Sequence, residues 1–368
     1  MCLLSYASQV PGPAPTYGLG QVINGRYEVL DFLGAGGFGQ VYKVQDQTTG
    51  QVSALKITSS WMGGPWDEAQ ILAGLSGEFI LGIRNADLVA GVPFLVTEVA
   101  EHGTAQKALA SGIGLPVRQA VRWAQHASRG LARVHDLGLL HNDIKPDNLF
   151  ISADGDAQLG DMGVSCLRDA SGHGRFAGTA ATMAPEVAAV PGSVPQPLWP
   201  TVRPTSIASD IYSLGATLYW MLAGQPPFSH PSNDMFLVAA EVVAGPPSPL
   251  RDVAPNVPQG VADVVAKAMA RLPHDRYPTA AAFDAALGGR SNQARQWTPL
   301  SAHAGHALCF IGTGHGSDLH VCAVPTGKGS RREIQIHHTV SGRRVLPWRV
   351  VSASALPQAL RSVFRHHM

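Results

Sequence analysis

Apolar and polar residues alternate from Tyr27 to Leu33, break at a glycine-rich run, and give way to further short apolar runs at Val41 to Gln45 and Gln51 to Ile57. This pattern predicts three β-strands. Pro65 is placed to open a helix from Trp66 to Leu75, and Phe94 to Ala100 predicts a short buried strand. From Pro116 the period changes. Val117, Ala120, Val121, Ala124, Ala127, Leu131, Val134 and His135 recur every three or four positions, which predicts a half-buried helix to about Leu137. A second, apolar helix follows from Ser209 to Leu222 and is ended by Gly224-Gln225-Pro226-Pro227-Phe228. Near the C-terminus, strands are predicted at Leu308 to Ile311, Leu319 to Val324, Glu333 to Val340 and Val345 to Val351, with a helix from Ala355 to His366. Residues 1–24, with Pro11, Pro13 and Pro15 among small residues, read as a flexible arm.

Composition narrows the class. A chain of 368 residues that is 45% hydrophobic can bury a large core and implies two domains or more. A formal charge of +1 with 14% charged residues gives no reason to expect nucleic acid or a charged membrane surface as partner. No apolar run approaches the ~20 residues of a membrane span, and the N-terminus has no charged region typical of a signal peptide. The four cysteines (Cys2, Cys166, Cys309, Cys322) have no disulfide-framework or metal-site spacing, which suits a reducing, cytoplasmic setting.

The chemistry concentrates in His141-Asn142-Asp143-Ile144-Lys145-Pro146-Asp147-Asn148, behind the apolar run Leu137 to Leu140, and in Asp161-Met162-Gly163, where Asp161 follows Asp143 by 18 positions. A soluble domain has little structural reason to gather such polar groups there. Upstream, Gly34-x-Gly36-x-x-Gly39 lies between two strand-like runs, whereas a dinucleotide-binding turn would lead into a helix. Ala54-Leu55-Lys56-Ile57 stands downstream of it, and Ala184-Pro185-Glu186 and His274-Asp275-Arg276-Tyr277-Pro278 follow much later. This ordered set resembles the eukaryotic-type (Hanks-type) Ser/Thr protein kinases, in particular soluble bacterial members, over about four-fifths of the chain.

The resemblance implies an α+β, bilobal protein kinase-like fold over residues 25–289, with an N-lobe to residue 99 and a mainly helical C-lobe from 100. Residues 290–368 would form a small α+β module of unknown role. It implies Asp143 to orient the attacking hydroxyl, Lys145 to offset charge, Lys56 for the phosphates, and Asn148 and Asp161 for Mg²⁺ or Mn²⁺. ATP would be enclosed by Gly34, Gly36, Gly39, Val41, Ala54 and Phe150, with Thr97 controlling access behind the adenine and the backbone of Glu98 and Ala100 bonding it. Glu68, twelve positions after Lys56, would hold that lysine. Asp210 would bond the backbone of the catalytic loop, and Glu186 would pair with Arg276. Thr179 fits the threonine that contacts the catalytic Asp and Lys; with Ser165 and Ser171 it is also a candidate phosphosite.

The chain departs from the family at several places. Asn142 replaces the arginine that normally receives an activation-loop phosphate, so activity independent of loop phosphorylation is expected, because an amide cannot supply a cationic fork. Met162 replaces phenylalanine and can still pack inward. The proline-rich stretch between Glu186 and Asp210 is either an insert shaping the substrate platform or a surface loop. The histidines of the C-terminal module, His303, His306, His315, His320, His337 and His338, are read as solvated, since no cysteine or acidic residue completes a ligand set at recognised spacing. The expected activity is γ-phosphate transfer from Mg-ATP to Ser or Thr of proteins. The alternatives are a nucleotide-binding scaffold acting through its C-terminal module and its partner, or a kinase toxin or defence protein with one dedicated target.

Overall fold

The computed structural model describes residues 14–36, 39–58, 74–162, 164–232, 234–314, 316–327, 330–345 and 348–367. The N-terminal lobe is a six-stranded antiparallel sheet: β1 (Val22–Ile23), β2 (Tyr27–Gly36), β3 (Gly39–Asp46), β4 (Val52–Thr58), β5 (Ile83–Val89) and β6 (Val92–Thr97), in the order β1-β2-β3-β4-β6-β5. Alternation along β3 turns Tyr42 and Val44 into a core with Ile23, Tyr27, Val29, Leu55, Phe94 and Val96. It leaves Val41 on the opposite face, toward the cleft. The backbone amides of Thr16 and Tyr17 donate to the Tyr42 hydroxyl at 3.0 and 3.3 Å, and β1 pairs with β2. Within the stretch read as a flexible arm, Thr16 and Tyr17 are bonded and Val22–Ile23 is paired, and residues 1–13 lie outside the described residues. A proline-rich segment shows no periodicity, yet its few amides find a fixed acceptor.

The second lobe is helical and is built on α1 (Val117–Asp136), α2 (Ile207–Ala223), α3 (Gln259–Ala268) and α4 (Ala280–Leu287). α1 packs against α2 and α4, and α2 against α3. Nearly every residue of α2 is buried, so it stands as a central post rather than as a surface helix. Ser206 and Ser209 form a capping box at its start, and Gly224 closes it at φ +76°. Gly130, midway along α1, lets the Phe79 carbonyl approach to where a Cβ would stand 2.4 Å from its oxygen. Two small ribbons, β7 (Leu139–Leu140) with β10 (Cys166–Leu167) and β8 (Leu149–Ile151) with β9 (Ala157–Leu159), anchor the polar loop between them. The proline-rich stretch after Glu186 folds into short helical turns, and Trp199 packs on Phe176 and Phe236 at 5.0 and 6.0 Å between ring centres.

The C-terminal module is a five-stranded antiparallel sheet, β11 (Arg295–Leu300), β12 (Leu308–Gly314), β13 (Leu319–Pro325), β14 (Arg331–His338) and β15 (Arg349–Ser352), covered on one face by α5 (Leu356–His366). β11 is absent from the sequence pattern because it carries a proline and few apolar residues, and it forms through pairing with β12. Of the expected strand Val345 to Val351, residues 349–351 lie in β15, and residues 346 and 347 lie outside the described residues. Asn256 Nδ2 donates to the Trp297 carbonyl at 2.9 Å, and Arg361 reaches the Arg251 carbonyl and Asp252 at 2.7 and 2.8 Å, so the module sits on the helical lobe. Two of the histidines read as solvated, His303 and His320, come together with Cys309 and Cys322, with their ligand atoms all within 4.8 Å; His315 lies outside the described residues. Strand register brings these groups close, and linear spacing does not reveal it. No helix among the described residues is long and apolar enough to cross a membrane.

Candidate active site

The polar loop is fixed from below by α2. The carboxylate of Asp210 accepts the backbone amides of His141 and Asn142, both at 2.9 Å, and bonds His135 Nε2 of α1 at 2.9 Å. The Asp210 contact is the one the resemblance implies. The His135 contact is one that helical periodicity read only as a buried position. Asn142 takes φ +69°, a left-handed conformation that asparagine tolerates better than most residues. Its side-chain amide donates to the Val164 carbonyl at 3.1 Å and lies 3.3 Å from Cys166 Sγ. It thus ties this loop to the segment after Asp161.

Above that base the reactive groups converge. The Asp143 carboxylate, 2% exposed, accepts from Thr179 Oγ1 at 2.6 Å, from Lys145 Nζ at 2.9 Å and from Asn148 Nδ2 at 3.1 Å. Lys145 also donates to Thr179 Oγ1 at 2.9 Å, which closes a three-membered ring of contacts. Asn148 spends both amide protons on Asp143, on its carbonyl at 2.7 Å and on its carboxylate, so its side-chain oxygen carries no hydrogen bond among the described residues. That oxygen and the carboxylate of Asp161, on the cleft wall, are hard donors suited to Mg²⁺. Lys56 of β4 bonds Asp161 at 2.5 Å across 105 positions. The expected Lys56 partner, Glu68, lies outside the described residues.

Lys56, Lys145, Asn148, Asp161 and Thr179 line a cleft of about 1350 Å³ between the lobes, with Asp143 buried beneath it. Its upper wall includes Gly34, Gly39, Val41 and Ala54, and its back and rim include Thr97, Glu98 and Ala100. Gly36 pairs with Gly39 at the tip of the β2–β3 hairpin. Gly34 and Gly39 have φ +150° and +139°, values that a side chain would strain. The Glu98 amide is taken by the Gly82 carbonyl at 3.0 Å, while the Ala100 amide makes no hydrogen bond among the described residues and can meet a ligand. Phe150 fills the lower wall beside Gly160, where an added Cβ would stand 2.8 Å from the ring. The missing side chain at Gly160 is what makes room for a phenylalanine.

The family model of the protein kinase domain matches residues 27–286. The chain belongs to the protein kinase family. Serine/threonine-protein kinase PknL of Mycobacterium tuberculosis is 31% identical over 276 residues, covering 72% of this chain and 66% of that protein. The DNA damage-responsive serine/threonine-protein kinase RqkA of Deinococcus radiodurans is 32% identical over 276 residues, covering 72% of this chain but 39% of its own length. Serine/threonine-protein kinase PknA of M. tuberculosis is 27% identical over 314 residues, 80% of this chain and 69% of that protein. The chain thus spans about two-thirds of PknL and under half of RqkA.

Other kinase positions are also placed by the structure. Glu186 and Arg276 form a bidentate pair at 2.7 and 2.7 Å, with Arg276 3% exposed. Met162 is buried in the core of the helical lobe. Of the candidate phosphosites, Ser171 is exposed and bonds Asp169 at 2.6 Å. The other two are held inward in this conformation. Ser165 is 5% exposed with its hydroxyl toward the His141 carbonyl, and the Thr179 hydroxyl is engaged by Asp143 and Lys145. Both are drawn in by the catalytic loop, a contact that a list of hydroxyl residues in the loop does not disclose.

Proposed function

We propose that this chain is a Ser/Thr protein kinase that transfers the γ-phosphate of ATP to protein hydroxyls, with Mg²⁺ or Mn²⁺ held by Asn148 and Asp161. The observation that carries this reading is the convergence of Asp143, Lys145, Asn148 and Thr179 beneath a cleft whose opposite wall carries Lys56. The metal would neutralise charge on the phosphates. Asp143 would accept the proton of the substrate hydroxyl, its carboxylate held in place by three donors. Lys145 would offset negative charge as the phosphoryl group moves, and Lys56 would orient the phosphates already bound. The glycine hairpin would close over them, and the Ala100 amide with the Glu98 carbonyl would take the adenine edge.

Asn142 supports a further element: no activation-loop phosphate is needed. The position is filled by a neutral side chain bonded to Val164 and Cys166, and it offers no cationic fork for a phosphate. The test is transfer of labelled γ-phosphate to an added acceptor protein by the full chain, alongside Lys56→Met and a variant with alanine at Ser165 and Ser171. Labelling that falls at least about 100-fold in Lys56→Met and persists in the alanine variant is expected. Equal labelling by Lys56→Met would defeat the proposal. Loss of labelling in a folded alanine variant would defeat the claim about Asn142 alone.

A further inference from the structure

The sheet of the C-terminal module has two unlike faces. Phe310 and Val321 are opposite one another and point to α5, as do Leu319 and Ala323. One residue along, Cys309 and Cys322 are opposite one another, so the period of two puts both thiols on the face without the helix, with His320 two positions from Cys322 on that same face. Such a face would ordinarily expose them. Yet Cys309 is 1% and Cys322 4% exposed, outside the apolar cluster under α5. The short loop between β11 and β12 brings His303 and His306 to them, with the Ala307 amide fastened to the Ala323 carbonyl at 2.8 Å.

Four of the six separations among the ligand atoms are near those of a coordination polyhedron, and all six lie within 4.8 Å. His303 Nδ1 lies 3.5 Å from Cys309 Sγ and 3.8 Å from Cys322 Sγ, His320 Nε2 is 3.7 Å from Cys322 Sγ, and the two sulfurs are 3.3 Å apart. A tetrahedral zinc ion with bonds of about 2.3 Å to sulfur and about 2.0–2.1 Å to nitrogen would separate its ligands by roughly 3.3–3.8 Å. We propose that His303, Cys309, His320 and Cys322 form a structural zinc site. Two thiolates balance the charge of Zn²⁺, and two neutral imidazoles complete a set characteristic of zinc. With four protein ligands the site is closed, so its role is to pin the 301–307 loop across the open face of the sheet rather than to catalyse. Each ion bound displaces two thiol protons to solvent, with no change in oxidation state. His306, whose Nδ1 lies 3.3 Å from that of His303 and 3.5 Å from Cys309 Sγ, flanks the set without joining it.

The test is metal content and is independent of kinase activity. The full-length protein is stripped with chelator under reductant, reloaded with Zn²⁺ or Co²⁺, desalted and measured by elemental analysis and visible absorption. About one ion per chain is expected, together with the thiolate-to-metal bands of tetrahedral cobalt. Cys309→Ser with Cys322→Ser should lower bound metal at least about tenfold. His303→Ala, on the exposed loop, tests the site where the cysteine variant fails to fold, and should weaken zinc binding by about tenfold or more. His306→Ala should retain the ion. No metal above the level of the cysteine variant, or a Cys309–Cys322 disulfide in the native protein in place of a metal, would overturn the proposal.

Discussion

Thr179 Oγ1 donates to Asp143 Oδ1 across 2.6 Å, although the two residues are 36 positions apart in the chain. The contact fastens the end of the activation loop to the group proposed to receive the substrate proton, and Lys145 bonds both partners. Removing the hydroxyl with Thr179→Val should therefore disturb transfer more than ATP binding. A fall in kcat of about tenfold or more with little change in KM for ATP is expected from steady-state kinetics. An unchanged kcat would show that Thr179 does not position Asp143.

Arg276 spends all its donors inside the fold: two on Glu186, and the others on the carbonyls of Ala208, Ala270 and Arg271. Its loss leaves a carboxylate and several carbonyls without partners. Arg276→Met should destabilise the helical lobe by about 3 kcal/mol in denaturant unfolding. Arg276→Lys should rescue little, because a single ammonium cannot reproduce the fork.

Asp210 satisfies two buried amides of the catalytic loop, and His135 meets it from α1. Asp210→Ala orphans both amides and should lower stability by about 3 kcal/mol while loosening the loop. Faster amide hydrogen exchange at His141 and Asn142 is the direct readout. Unchanged protection there would show that the loop is held by other contacts.

His126 of α1 is buried against Phe79, accepts the Ala157 amide through Nδ1 at 3.2 Å and lies 3.6 Å from Asp156. Burial lowers its basicity below the ordinary value of 6.5, an effect the nearby Asp156 carboxylate opposes only in part. The unfolded chain then binds the proton more readily than the folded one. Stability is in full effect above about pH 6.5 and declines as the pH falls through and below it. Thermal unfolding from pH 7.5 to 5.5 should show this loss, and His126→Gln should flatten the slope.

What the sequence discloses follows the range of each interaction. The proposed catalytic set is local: Asp143, Lys145 and Asn148 lie within six consecutive positions, so a short stretch of backbone places them together and a short motif carries the resemblance from which their roles are inferred. Helix α1 is legible because Val117, Ala120, Val121 and Ala124 repeat with its pitch. The His135–Asp210 bond and the burial of Ser165 depend on how distant elements pack, and no single stretch carries them. The histidine and cysteine cluster is the clearest case. Its members join through the pairing of Cys309 with Cys322 across two strands, and no motif spacing records a cross-strand register.

The measurement closest to the central claim compares the intact protein with Asp143→Ala in γ-phosphate transfer from labelled ATP with Mg²⁺, with the labelled positions mapped by mass spectrometry. The account predicts label on serine or threonine for the intact chain and a loss of about 100-fold or more in the variant, with ATP binding retained. Comparable labelling by Asp143→Ala, or no labelling by a folded, ATP-binding intact chain, would contradict it.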